Sequence, residues 1–424
     1  MAATGRARAR SSTRCSKACR PTSAARCARG TRFASTGSPD GDAQEGVSMK
    51  STTKREYRII SADSHTVEPP DLWDKWLEKK YIDTAPKLVD DGEGGDAWVY
   101  MGAATAEPLG LVTCVGTRPE ELKWTGKKYG RDIHPSCHDG AERLKIMDED
   151  GVDAEMLYPP QRAMLTFMKN KDTEAHLAGI RAYNRWLKDG FCAPDPDRLI
   201  GIFQMPNVGI ETSVSELQRA KKEGFRGVAI SAWPSGGDNL SAADDPFWDT
   251  AAQLDMPVSI HLLLAASTTK IVPSKSAAVA IGATAFSYTM PLITEMIFQG
   301  VFDRFPKLRM AGVEIGIGWI PHFLEMTDDR YWRNRHWAGV KLKKVPSDYF
   351  RDHWLATFIV DRSGISVRHQ IGIDNIAWST DFPHHGNDWP YSRKTIDEML
   401  SDVPAEERNK IVCTNAAQFW GLMA

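Results

Sequence analysis

Cysteine is scarce and scattered: seven in 424 residues, at positions 15, 19, 27, 114, 137, 192 and 413, with no CxxC pair. That gives neither a zinc knuckle nor a thioredoxin motif, and favours free thiols in a reducing compartment. No apolar run approaches the roughly 18 to 20 residues needed to span a bilayer. A GxGxxG after the first strand and a P-loop are both missing, so the Rossmann and P-loop readings fall. No internal repeat recurs at roughly 20 to 50 residues, which argues against a solenoid. Net charge is nearly absent as well. Lys plus Arg total 53 against 55 Asp plus Glu, a formal charge of −2, which leaves no global basic surface for nucleic acid.

The balance hides an asymmetry. Residues 1–39 carry nine basic residues and no Asp or Glu, so the remainder is acidic. The leader, taken as residues 1–50, is rich in Ala, Ser, Thr and Arg and lacks the apolar core of a secretory signal. Three readings stay open: an organellar transit peptide, a disordered tail, or an over-long translation start. All three predict disorder there. The body, with 42% hydrophobic and 25% charged residues in the whole chain, has ordinary globular proportions. The expected location is the cytoplasm, or an organellar matrix if the leader is a genuine transit peptide.

From residue 56 to 422, short β-branched runs alternate with longer amphipathic stretches. The runs are Tyr57–Asp63, Val152–Tyr158, Leu199–Met205, Arg226–Ser231, Pro257–Leu263, Leu308–Ile315, Leu355–Val360 and Ile376–Asp381. Eight such units separated by helices predict a parallel sheet closed as a (β/α)₈ TIM barrel, since open sheets more often stop at five to seven strands. Residues 71–140 form a long insertion after the first strand, with a hairpin expected around Trp98–Met101 and a lid over the barrel mouth as its expected role.

Polar residues end several of the apolar runs. Asp63 and His65 lie two apart at the end of the first and share a face if the chain is extended. His261 ends the fifth, Glu314 the sixth and Asp381 the eighth. Three carboxylates and two imidazoles on one rim repel or compete unless a cation compensates them. The mixed N and O donor set suits Zn²⁺ first, with Mn²⁺ or Fe²⁺ as alternatives. Softer candidates surround them. Arg162 would grip a substrate carboxylate or be an ordinary surface residue. Trp319 and Trp389 would line the pocket or simply pack. His384 and His385 would orient substrate or donate a proton. His322 reads as structural.

These segments resemble the amidohydrolase-related metal-dependent TIM-barrel proteins, a family that includes hydrolases and the aminocarboxymuconate-semialdehyde and γ-resorcylate type decarboxylases. The resemblance rests on Ser61-Ala-Asp-Ser-His-Thr-Val-Glu-Pro-Pro-Asp-Leu-Trp73, His261, Gly312-Val-Glu-Ile-Gly-Ile-Gly-Trp319 and Ser379-Thr-Asp-Phe-Pro-His384. It implies Asp63, His65, His261 and Asp381 as metal ligands, with Asp381 also accepting the proton of a metal-bound water. Two departures stand out. The first strand carries Asp-x-His where many members carry His-x-His, and Glu314 stands where the decarboxylase branch usually has a His. Glu314 would be a further metal ligand, a general base or a hydrogen-bonding support. If a second metal exists, Glu314 and Glu68 would have to hold it.

The leading expectation is a metal-dependent hydrolase acting on a small amide, ester or thioester, with Asp381, Glu314 and His384 in catalytic roles. The alternative is a metal-dependent non-oxidative decarboxylase of a small aromatic or unsaturated carboxylic acid. A barrel that binds metal without catalysis is the third reading. The expected partner is a small-molecule substrate, with no nucleic acid or membrane, and a homodimer is the default assembly.

Overall fold

Runs apolar on both faces can only be strands buried on both faces, and that is how they fold. The computed structural model describes residues 55–101, 103, 105–160, 164, 171–264 and 275–423. The leader and Arg162 lie outside the described residues. The described strands are β1 (Ile60–His65), β2 (Lys87–Asp90), β3 (Asp96–Val99), β4 (Glu107–Pro108), β5 (Ala154–Tyr158), β6 (Leu199–Gly201), β7 (Phe203–Gln204), β8 (Val228–Ile230), β9 (Val258–His261), β10 (Met310–Val313), β11 (Trp354–Phe358) and β12 (Ile376–Trp378). Every residue of β1, β5 and β8 to β12 is buried.

The order is β1-β5-β6 in one parallel sheet and β7-β8-β9-β10-β11-β12 in another. One residue, Ile202, separates β6 from β7. Its N–H still bonds to Leu157 C=O, while the next N–H, of Phe203, turns to Gly227 C=O. The third expected strand is therefore one strand interrupted, and it joins both sheets. The other seam closes through Asp381 N–H to Asp63 C=O (2.9 Å) and His65 N–H to Phe382 C=O (2.6 Å). Eight parallel strands thus form the (β/α)₈ barrel expected from the alternation, in which chain order is spatial order.

One boundary differs from expectation. The first strand begins later and ends later than Tyr57–Asp63, so both Asp63 and His65 belong to it. Its pairing with β5 slips between Ser61 and Ser64, a bulge of the kind that re-aims side chains near active sites. The hairpin expected around Trp98–Met101 is present, formed by β3 and β4 with Trp98 opposite Glu107, and a second hairpin precedes it. Its strands are β2 and β3, and Asp91 shapes the turn by accepting N–H from Glu93, Gly95 and Gly126.

The insertion forms its own antiparallel sheet, β2-β3-β4, and is bonded to the barrel rim. Val67 N–H reaches Cys137 C=O (2.8 Å), Cys114 N–H reaches Pro383 C=O (2.7 Å), and His385 N–H reaches Leu111 C=O (3.0 Å). Glu68 is part of this junction. Tyr100 Oη donates to its carboxylate at 3.1 Å, and Tyr129 Oη donates to its backbone carbonyl at 2.6 Å. It joins none of the cation-sized donor groups among the described residues, so the second-metal role expected of it falls.

Glu68 is 1% exposed, and burial pushes its carboxyl up to about 7 from an ordinary 4.5. The folded chain therefore holds a proton that the unfolded chain releases between those values, so stability falls as pH rises through that window. Glu68→Gln removes the titration. Its stability relative to wild type should rise by on the order of 3 kcal/mol between about pH 4.5 and pH 8, read by urea denaturation. A difference that stays flat with pH overturns this account.

Candidate metal centre

Each candidate side chain is delivered by a strand end, and three strand ends adopt an unusual backbone. Leu262, Glu314 and Asp381 have φ of 59°, 60° and 55°, the left-handed region that side chains normally avoid. At Glu314 the local cause is visible. A Cβ on Gly312 would sit 2.5 Å from Ile315 Cδ1, so the missing side chain is what lets Ile315 fold back over β10. Glu314 N–H then leaves the ladder and donates to Thr357 Oγ1 at 2.8 Å.

The donors converge tightly. His65 Nε2 lies 3.0 Å from His261 Nε2 and 3.5 Å from Asp63 Oδ1, and His261 Nε2 lies 3.3 Å from Asp63 Oδ1. Asp381 Oδ1 is 3.3 Å from His65 Nε2 and 3.0 Å from His384 Nδ1. Ligands at about 2.0 to 2.2 Å from one ion, at tetrahedral to octahedral angles, stand roughly 3.0 to 3.5 Å apart. The atoms of Asp63, His65 and His261 match that spacing. Neither oxygen of Asp63 has a hydrogen-bond partner, and the residue is buried. Buried carboxylate oxygens without donors are costly, and a divalent cation is the group that would satisfy them. The residues present fit one.

The electrostatics separate two carboxyls. Burial alone would raise the Asp381 carboxyl, but the His384 and His65 imidazoles outweigh it and hold Asp381 well below the usual range. Burial drives Glu314 the other way, well above the usual range, and the charges of Asp381 and Asp63 add to the effect. Burial would lower His65, yet Asp381 and Asp63 leave it raised. His384 falls to about 4, through burial first and His65 second. Glu314 is also the most open member, its side chain 28% exposed against 0 to 2% for Asp63, His65 and Asp381.

Of the candidates read from sequence, Asp63, His65, His261, Glu314, Asp381 and His384 come together. The His384 ring stacks on His65, with centroids 3.9 Å apart and planes at 11°. His385 does not join the cluster; it is exposed, and its N–H is used by the insertion. Trp319 packs instead of facing the donors. It stacks on Phe286 and donates its indole N–H to Ile315 C=O. Trp389 likewise packs, with its indole N–H on Ile146 C=O. His322 is exposed on the helix Ile320–Ala338.

Three supports escaped the sequence reading. Arg143 is fully buried on the helix Gly140–Asp150 and donates to Glu155 Oε2 (2.7 Å), Ser136 C=O (2.9 Å) and His65 C=O (2.6 Å). Its guanidinium lies 4.4 Å over the Phe382 ring, so one side chain braces both edges of the seam. Its signal was its place on the helix stripe that also carries Ile146 and Met147. Tyr158, at the end of β5, sets its ring 5.6 Å from that of His261 and shares a hydrogen bond with Ser259. Ser61, Ser64 and Thr380 form a buried hydroxyl triangle at 3.0 Å per side across the seam. Nothing in the residue types flagged either of these two.

Known proteins resemble this chain in both sequence and structure. A family model described as amidohydrolase matches residues 118–422. A γ-resorcylate decarboxylase of Polaromonas sp. is 27% identical over 303 residues, covering 66% of this chain and 86% of its own length. A 2-amino-3-carboxymuconate-6-semialdehyde decarboxylase of Dictyostelium discoideum is 22% identical over 304 residues, covering 70% and 80%. Among solved structures, the 5-carboxyvanillate decarboxylase of Sphingomonas paucimobilis superposes with a TM-score of 0.60 at 19% identity, covering 87% of this chain and all of its own. A dihydroxybenzoic acid decarboxylase of Polaromonas sp., solved with bound manganese, gives 0.57 at 19% identity, covering 87% and 98%. These likenesses support an enzyme and overturn the hydrolase expectation, because the named relatives are decarboxylases. Among the described residues no helix is long and apolar enough to cross a membrane.

The cluster makes a test of cation binding that needs no substrate. Mn²⁺ at 100 times its dissociation constant should stabilise the chain by about 2.7 kcal/mol, read as a shift in the urea midpoint. Asp63→Asn should abolish that gain and, in chelator, should be at least as stable as wild type, since it removes a buried carboxylate without hydrogen-bond donors. Equal stabilisation of both proteins by Mn²⁺ would sink the ligand assignment.

Proposed function

The chain belongs to the amidohydrolase family, and from that premise we propose that it is a metal-dependent, non-oxidative decarboxylase of a small aromatic or unsaturated carboxylic acid. The observation that carries the reading over hydrolysis is the likeness to decarboxylases, and the convergence of Asp63, His65, His261 and Asp381 as buried donors, with the further carboxyl of Glu314 beside them, fits it.

Asp63, His65, His261 and Asp381 would hold the cation; two imidazoles and two carboxylates accept Mn²⁺ as readily as the Zn²⁺ first expected, and the manganese bound by the dihydroxybenzoic acid decarboxylase favours Mn²⁺. When bound, that cation would neutralise the substrate carboxylate and a neighbouring oxygen and fix their orientation. Asp381 keeps the His384 imidazole in place through the 3.0 Å contact at Nδ1. His384 in turn covers one face of His65 and restrains its rotation. With its imidazole held to about 4, His384 is neutral near pH 7, so orienting His65 suits it better than donating a proton.

The proton comes from Glu314. Loss of CO₂ requires a proton on the carbon that bore the carboxylate. Environments that push two carboxyls apart assign acid and base roles, and of this pair Glu314 is driven up, by burial first, while Asp381 is driven down. Its proton passes to the substrate carbon, the bond to the carboxylate breaks, CO₂ leaves, and the electron pair of that bond restores the carbon framework. Partial exposure lets Glu314 recover a proton from water. A glutamic acid would thus serve where the decarboxylase branch usually carries a histidine.

The test is a panel of hydroxybenzoic and unsaturated carboxylic acids with Mn²⁺-loaded protein in D₂O. The expected result is CO₂ and a product deuterated at the carbon that lost it. Glu314→Gln should lower kcat by about 10² to 10⁴ with Mn²⁺ content unchanged. Release of amine or alcohol from amides or esters, with no CO₂ from any acid, would overturn the lyase reading. Near wild-type turnover in Glu314→Gln would remove Glu314 from the reaction.

A further inference from the structure

We infer that Thr357 is a positioning residue for Glu314: its side-chain oxygen takes the Glu314 backbone N–H out of the sheet and so sets the carboxyl over the metal centre. The inference rests on the role proposed above for Glu314. Thr357 is wholly buried within β11, and its described contact with the cluster is to the Glu314 backbone.

The regular pairing of β10 with β11 ends at Gly312 opposite Ala356. Were β10 to continue as a strand, the next side chains would follow the pleat along the barrel wall. Instead Thr357 Oγ1 accepts Glu314 N–H at 2.8 Å, and Thr357 C=O accepts Gly316 N–H at 3.2 Å. Between those two anchors Glu314 takes φ 60°, and its Oε2 comes to 3.8 Å from His261 Nδ1. Gly316 follows at φ 64°, a conformation that a residue without Cβ adopts freely. Asp361 completes the clamp, its Oδ2 accepting N–H from Ile317 and Gly318, each at 2.7 Å. The turn after β10 is therefore held from the β11 side, and Thr357 holds the residue that matters.

Threonine suits the position on two counts. Its β-branch fits a buried strand, and its hydroxyl supplies an acceptor that valine of equal size lacks. Thr357→Val should leave Mn²⁺ content and KM near wild type while kcat drops roughly tenfold to a hundredfold, the usual penalty for a misplaced catalytic group. Thr357→Ser should restore most of it. In a Glu314→Gln background, Thr357→Val should cost no further activity, because the group it positions is already gone. Equal fold-losses in both backgrounds, or unchanged kcat in Thr357→Val, overturn the inference.

Amide exchange supplies a readout independent of the reaction. Exchange in the 312–318 segment should quicken in Thr357→Val and stay slow in Thr357→Ser. Unchanged exchange in Thr357→Val overturns the inference whatever the substrate. A Glu314→Gln protein that turns over normally, with the exchange pattern as expected, would instead refute the acid role alone.

Discussion

Asp381 N–H bonds to Asp63 C=O, so two carboxylates that repel one another are tied together by their own backbones. This bond and its neighbour, His65 N–H to Phe382 C=O, close the barrel between its first and last strands. Closure is what brings together donors from opposite ends of the chain. The hydroxyl triangle of Ser61, Ser64 and Thr380 fills the seam without adding charge, and Arg143 spans it from outside. The folding energy of the whole barrel thus holds Asp63 and Asp381 in a proximity that isolated side chains would avoid.

The rim carries a second kind of stress. Leu262, Glu314 and Asp381 each place a side chain by leaving the strand through the left-handed region, at a cost of order 1 to 3 kcal/mol apiece. Such conformations persist only where surrounding bonds over-determine them, and they do so here at three of the four strand ends that meet at the cluster. At Glu314 the compensation comes from the next strand over, not from the residue's own neighbours in sequence. The site is accordingly a property of adjacent strand pairs, because neither β10 nor β11 alone defines where Glu314 points.

How much of this was readable from the chain follows from the same physics. Strand order and the strand-end donors were legible because buried parallel strands read as apolar runs, and a polar residue ending one has few places to go but the mouth. His385 was misread because proximity in sequence to Asp381 says nothing about the turn between them. That turn bends His384 back onto Asp381 and hands the N–H of His385 to Leu111. Trp319 was open between lining the pocket and packing, because its residue type serves both, and its indole N–H goes to Ile315 C=O. Glu68 looked free to bind a second ion only while its tyrosine partner, remote in sequence, was out of sight. The hydrolase expectation rested on a barrel whose strand-end residues serve either chemistry, and the relatives, not the residues, decided between them.

The insertion at residues 71–140 has the form of a graft. It carries a sheet of its own and looks like a module that could be exchanged for another. Its attachments say otherwise, because Cys114 and Leu111 hold the backbone of Pro383 and His385 on either side of His384. Evolution or an engineer could redecorate the faces of that sheet freely, but could not replace the module wholesale without loosening the imidazole that lies flat against His65. Diversity in what this barrel accepts would then accumulate at the tips of the excursion, while its root stays as constrained as the strands.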